Sequence, residues 1–304
     1  MHSLFCKTAM MHLAICATIA LNLFSIDSYA SQSLEREAAD LYYVTGQTVS
    51  LYRDVEQTKP YLRLRFREPV SVVSSEGSVK QVRTMDGALG YVDADEISNI
   101  WILISKRRKQ VTLHQGMRVL SEFRADFGYN AYSDKNIRGS EEEPDQWRTP
   151  EGVFYVVKKN PYSKFYRAFL LNYPNAEDAE RGKRDGLISQ EDYEAIMLAE
   201  KRGTPPPMGT ILGGFIEIHG NGTGLASNWT EGCVAVRDED MDFMWSYVQE
   251  GTPVVIEKSG NNPKGLTIIF AGESRRSNGH MGKTKLDALR WQRSPRESLL
   301  SGEA

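Results

Sequence analysis

Apolar and polar positions along this chain alternate in short runs before any helical period is reached. Leu62, Leu64 and Phe66 are separated by Arg63, Arg65 and Arg67, the period-two pattern of a strand with one face buried and one face wet. Val49 to Tyr52, Val70 to Val73, Gln81 to Thr84 and Leu89 to Val92 predict further short strands, divided by the turn formers Glu76-Gly77-Ser78 and Asp86-Gly87. Residues 31–98 are therefore predicted to form a small antiparallel β-barrel. A second β-rich region opens near Asn99. Ile100 to Ser105 and Gln110 to Leu113 read as a hairpin through the charged turn Lys106-Arg107-Arg108-Lys109, Val119 to Phe127 as a third strand, and Gly152 to Lys158 as a fourth. Between the last two lies a polar, solvated loop, 130–148, with Glu141-Glu142-Glu143.

The period turns helical between Tyr173 and Thr210. Ser189-Gln190-Glu191-Asp192 has the form of a capping box, Tyr193, Ile196 and Met197 follow at helical spacing, and Gly203 with Pro205-Pro206-Pro207 stops the run. This insertion either borders a cleft or runs over the surface. Phe215 to His219 and Val234 to Val236 predict strands. Asp238, Glu239 and Asp240 open a helix, where acids favour the dipole, and Met241, Met244, Trp245 and Val248 supply its core stripe. Gly251 and Pro253 end it, Val254-Val255-Ile256 returns as a strand, and Leu266 to Phe270 adds another. The fold class is mainly β with α insertions.

Composition narrows the function classes. With 304 residues, 40% hydrophobic and 25% charged, the chain buries a core in about two domains and is neither disordered nor fibrous. Its 37 Lys and Arg against 40 Asp and Glu leave a net charge of -3, which removes the electrostatic basis for a nucleic-acid partner. The four-residue basic turn has no interleaved aromatic to stack bases. Lys7, the apolar run Met10 to Phe24 and the small residues of Ser28-Tyr29-Ala30 predict a cleaved export signal over residues 1–30. That run is shorter than the roughly 20 residues a membrane span requires, so no stable span is expected after cleavage. Ile15 before Cys16 argues against a lipoprotein. Residues 273–304 carry seven basic residues against four acidic ones and are expected to be disordered.

Cleavage would take Cys6 and Cys16 with it and leave Cys233 as the single thiol, either inert in a core or kept for reactivity. Fourteen residues before Cys233 stands His219, followed by Gly220. A thiol becomes a nucleophile when a nearby imidazole takes its proton, and two strands leaving a common loop bring such a pair together. Gly232 allows a tight turn that exposes sulfur and points N–H groups at a substrate carbonyl. Five histidines, two of them in the predicted signal, show no ligand spacing, and no metal or other cofactor is expected.

These residues carry a resemblance. His219-Gly220 followed by Thr230-x-Gly232-Cys233-Val234 resembles the active-site signature of YkuD-type L,D-transpeptidases. Thr149-Pro150-Glu151-Gly152, Gly213 to Gly220, Asp238 to Asp242 and Gly251-Thr252-Pro253-Val254 are similar to other family segments in the same order, over Asn99 to Lys258. Two positions depart: Glu231 stands where the common pattern has His, and Ala235 where an Arg is frequent, with Arg237 two places on. The Trp229-Thr230-Glu231-Gly232-Cys233 form still looks like a member.

The resemblance implies a YkuD-like β-sandwich over 99–272, with the helical insertion at about 173–210. Residues 31–98 resemble the bacterial SH3-like modules attached to cell-wall enzymes, through length and the closing Gly90-Tyr91-Val92 strand. It further implies a periplasmic enzyme acting on peptidoglycan stem peptides, with a wall-anchored protein as one possible acceptor. Cys233 would be nucleophile and His219 base, with a carbonyl near Gly220 orienting the imidazole and the N–H groups of Gly232 and Cys233 forming the oxyanion site. Trp229, Thr230, Glu231 and Arg237 would contact substrate. A hydrolytic member of the same fold and a non-catalytic murein-binding protein are the alternatives. A papain-like endopeptidase fits less well, because there cysteine precedes histidine along the chain.

Overall fold

The computed structural model describes residues 41–259. The predicted signal segment, the Leu266 to Phe270 strand and the tail 273–304 lie outside the described residues. The chain begins with β1 (Leu41–Val44), β2 (Thr48–Tyr52), β3 (Pro60–Arg65), β4 (Pro69–Glu76), β5 (Val79–Thr84), β6 (Leu89–Asp93) and β7 (Ile97–Ser98). They form one antiparallel sheet in the order β3-β2-β6-β5-β4-β1-β7. Alternation does what the pattern requires: Leu62 and Leu64 of β3 are buried while Arg63 and Arg65 are exposed.

The second region is built on β8 (Ile100–Ser105), β9 (Gln110–Gln115), β10 (Arg118–Arg124), β11 (Phe127–Gly128), β12 (Gly152–Ser163) and β13 (Tyr166–Leu171). It continues with β14 (Glu217–His219), β15 (Asn228–Thr230), β16 (Val234–Ala235) and β17 (Pro253–Glu257). Eight of these strands make a mixed sheet in the order β10-β9-β8-β17-β12-β13-β14-β16, and β11 pairs with β15. Helices α1 (Ala176–Arg184), α2 (Gln190–Arg202) and α3 (Asp238–Trp245) pack beside it. The core runs from Ile102 and Leu113 through Phe154, Phe169 and Ile218 to Met241 and Met244.

Several elements end for local reasons. The Ser189 hydroxyl accepts from Asp192 N–H while the Asp192 carboxylate reaches back to Ser189, so the capping box read from the sequence is present. Gly203 closes α2 in the left-handed region at φ 67°. Helix α3 stops at Trp245, short of Gly251, although Val248 is buried as expected. Strand β13 has no counterpart in the sequence reading, and β12 runs five residues past Lys158.

The hairpin turn is also corrected in part. Lys106 is buried, its ammonium donating to Ser133 O at 2.7 Å, Thr149 O at 2.8 Å and Glu151 Oε1 at 2.9 Å, because a buried charge needs this many acceptors. Lys109 donates to Ala226 O and Asn228 Oδ1. Two of the four basic residues thus tie loops together rather than face water.

Candidate active site

Strands β14 and β16 run parallel, with Ile218 opposite Val234 and His219 opposite Ala235. Ile218 and Val234 point into the core, so alternation turns Glu217, His219 and Ala235 to the other face. Cys233 enters β16 on that face, half-buried, with its S–H donating to Phe215 O at 3.4 Å and its sulfur against the Glu217 backbone. Diagonal neighbours on one sheet face stand about 7–8 Å apart at Cα, within reach of an aromatic side chain. The parallel register therefore sets His219 and Cys233 on a shared surface.

His219 is held on three sides. Its Nδ1–H donates to the carbonyl of Gly220 at 2.7 Å, which leaves the Nε2 lone pair as the basic atom. Phe165 stacks on the ring at 4.4 Å between centroids, and Trp229 meets it edge-on at 6.3 Å. Burial among these rings lowers the imidazole pKa, against the bond to Gly220. A Cβ on Gly220 would lie 2.5 Å from Asp238 Oδ1, so the position has no room for a side chain.

The turn before the cysteine is stapled by Thr230, which is buried. Its Oγ1 donates to Cys233 O at 2.7 Å and accepts from Gly232 N–H at 3.2 Å. Gly232 has φ +133°, and a Cβ there would stand 2.6 Å from Arg148 O, so only glycine fits. The Gly232 N–H is thereby turned toward Thr230 in the resting turn. Glu231 is exposed. Burial pushes the Cys233 thiol up to about 12, the hydrogen bond to the Glu217 backbone and the Lys135 charge acting against it and the Glu217 and Glu231 carboxylates with it. At rest, burial keeps the Cys233 thiol protonated and the His219 imidazole neutral.

The loop between histidine and cysteine closes on Asp126, which the sequence reading passed over. This fully buried carboxylate accepts from Thr223 N–H at 2.6 Å, Thr223 Oγ1 at 2.9 Å, Ser227 N–H at 2.7 Å and Trp229 Nε1–H at 2.9 Å. Burial opposes its charge, yet these donors outweigh it and hold the carboxyl below its ordinary range. Trp229 is thereby fixed with 41% of its surface exposed beside His219. Arg237 is occupied otherwise: its Nε and Nη2 both reach Asp240 at 3.0 Å. Among the described residues no cluster of three or more His, Cys, Asp or Glu side chains is arranged to hold a metal, and no helix is long and apolar enough to cross a membrane.

Comparison with known proteins bears on this geometry. No curated protein matches the chain. Bd1075 of Bdellovibrio bacteriovorus is similar at 20% identity and a TM-score of 0.35, over 59% of this chain and 58% of that one. An L,D-transpeptidase from Xylanimonas cellulosilytica is similar at 16% identity and a TM-score of 0.33, over 53% of this chain and 61% of that one. An L,D-transpeptidase from Mycobacterium tuberculosis is similar at 13% identity and a TM-score of 0.32, over 60% and 67% of the two chains. The chain thus spans under two thirds of the first two structures. Residues 99–256, just over half of the chain, match the YkuD family, described as the L,D-transpeptidase catalytic domain. That stretch contains β14, β16, His219 and Cys233, and the chain belongs to the YkuD L,D-transpeptidase family.

Proposed function

We propose that the protein is an exported peptidoglycan L,D-transpeptidase working by two acyl transfers at Cys233. The observation that carries this reading is the imidazole of His219, tethered at Nδ1 to Gly220 O with Nε2 left basic, on the strand that pairs in parallel with the one Cys233 leads into. Attack of sulfur on the carbonyl of the diaminopimelate residue of a tetrapeptide stem passes the thiol proton to His219 Nε2. Because the resting thiol is neutral, proton transfer and attack are coupled.

The oxyanion is received by the Cys233 N–H, since the Gly232 N–H is engaged with Thr230. Collapse breaks the C–N bond, and the imidazolium returns its proton to the departing D-alanine amine. An acceptor amine then attacks the thioester, gives its proton to His219, and regenerates the thiol. A second diaminopimelate yields a 3-3 cross-link, a D-amino acid yields exchange, and a protein lysine yields anchoring. Trp229, Thr230 and Glu231 border the acyl site, and residues 41–98 serve as an SH3-like accessory module.

Intact-mass spectrometry after exposure to a carbapenem and to tetrapeptide murein fragments tests the reading. Acylation confined to Cys233, abolished in Cys233→Ala and slowed about 10²- to 10⁴-fold in His219→Ala, is the expected outcome. A folded wild-type protein that stays unmodified overturns it. Fragment products then name the acceptor: 3-3 dimers require an amine, whereas tripeptides alone mark the hydrolytic alternative.

A further inference from the structure

Among the described residues two lysines are buried, and they are treated very differently. Lys106 is met by two carbonyls and the Glu151 carboxylate, all within 2.9 Å. Lys135, on the loop 130–148, is 3% exposed. Among the described residues its ammonium makes one long bond, 3.3 Å to Gln146 O, and no ion pair. A buried cation with donors to spare and no counter-ion is costly to hold, so its missing partner is expected to arrive from outside.

The surroundings of Lys135 say where. Its Cε would stand 3.2 Å from a Cβ on Gly213, two residues before Phe215, whose carbonyl receives the Cys233 S–H. Its acceptor Gln146 lies two residues before Arg148, whose carbonyl abuts Gly232. The side chain is thus held between two segments that touch the Cys233 turn, within electrostatic range of Cys233 and Glu231.

Cations prevail nearby. Arg138 donates to the carbonyls of Met208 and Thr210, and Arg148 pairs with Asp145. The sequence candidate for holding substrate charge, Arg237, has its fork filled by Asp240.

Chemistry supplies the missing anion. When a terminal amino acid is the leaving group, its carboxylate carbon lies two bonds beyond the scissile nitrogen, about 4 Å from the attacked carbonyl carbon. Any group that reads that carboxylate must sit beside the nucleophile. We propose that Lys135 forms, next to Cys233, the subsite for the free carboxylate of the expelled terminal residue, and thereby restricts acyl donors to peptides ending in a carboxylate. This assignment rests on the acyl-transfer reading above.

Calorimetric binding to full-length Cys233→Ala tests it, using a murein tetrapeptide with a free terminal carboxylate and the same peptide as its terminal carboxamide. The carboxylate form is expected to bind on the order of ten- to a hundred-fold more tightly, and Cys233→Ala/Lys135→Met to bring that ratio close to one. Equal affinities in Cys233→Ala overturn the proposal, as does a preference that survives Lys135→Met. Each ratio is taken within one protein, so partial unfolding of a variant does not imitate the result.

A pH series on Cys233→Ala needs no lysine variant. Burial, helped by Arg138, draws the Lys135 ammonium down to about 8. The preference therefore fades between about pH 8 and 10. A preference constant to pH 10 counts against Lys135. Wild-type protein separates the two readings: preference without Cys233 acylation removes the acyl transfer and keeps the carboxylate site, and equal acylation of both peptides does the reverse.

Discussion

Burial of His114 makes one contribution to the pH dependence of the fold. Both its nitrogens are buried without a partner among the described residues, and the ring stacks on Trp101 at 4.0 Å. Burial pulls its pKa from 6.5 down to about 4. The unfolded chain takes up this proton near pH 6.5 and the folded one only near 4, so stability is complete above 6.5 and falls as pH drops through that window. Urea titrations of His114→Phe are expected to lose much of this acid limb while keeping the stacking. An unchanged limb would assign it to another group.

The same scale shows what sequence discloses. His219 and Cys233 could be singled out as candidates because a fixed spacing, and a thiol left alone by the predicted cleavage, mark them. Asp126 and Lys106 were not, since their partners lie far along the chain: Thr223 and Trp229 for the first, Thr149 and Glu151 for the second; nor was Lys135, a loop lysine whose burial shows only in the fold. An isolated acid or lysine has no signature until folding brings its donors or acceptors.

Among the elements, helices were easiest to read because their signals are local, as the Ser189 capping box shows. Strand β13 was missed because Tyr166-Arg167-Ala168-Phe169-Leu170-Leu171 shows no clean alternation of polar and apolar positions. Its order becomes visible only through pairing with β12 and β14. The most consequential element is the 220–230 loop, an irregular span that receives its shape from Asp126. Asp126→Asn turns amide hydrogens toward groups that are themselves donors. It is expected to cost roughly 2–3 kcal/mol in chemical denaturation and to lower turnover as well, by loosening Trp229 beside His219. Loss of stability with full kcat would show that the loop does not govern the catalytic face.

At the scale of the whole molecule, the N-terminal sheet is fastened to the catalytic region by specific contacts. Tyr43 O–H donates to Ile100 O at 2.8 Å, Arg67 pairs with Glu200 at 3.2 Å, and the Arg67 guanidinium lies 3.6 Å from the centre of the Tyr155 ring. Phe66 packs over Gly203 and Gly251. The helical insertion therefore joins the two sheets through α2, while its trailing segment reaches the cysteine through Phe215. Gly203→Ala tests the joint. It places a side chain at φ 67° and sets a Cβ 2.6 Å from the Phe66 ring, so a loss of about 2 kcal/mol is expected. Thermal unfolding of Gly203→Ala with and without Phe66→Leu should show non-additive losses; simple additivity would mean the ring and the glycine act independently.

The protonated state of Cys233 has a consequence outside catalysis. It is the sulfur anion that attacks peroxides and disulfide reagents, and a thiol held near 12 offers almost none of it at neutral pH. Among the described residues Cys233 is the one free cysteine, and kept in this form it resists oxidation with no second cysteine as its guardian.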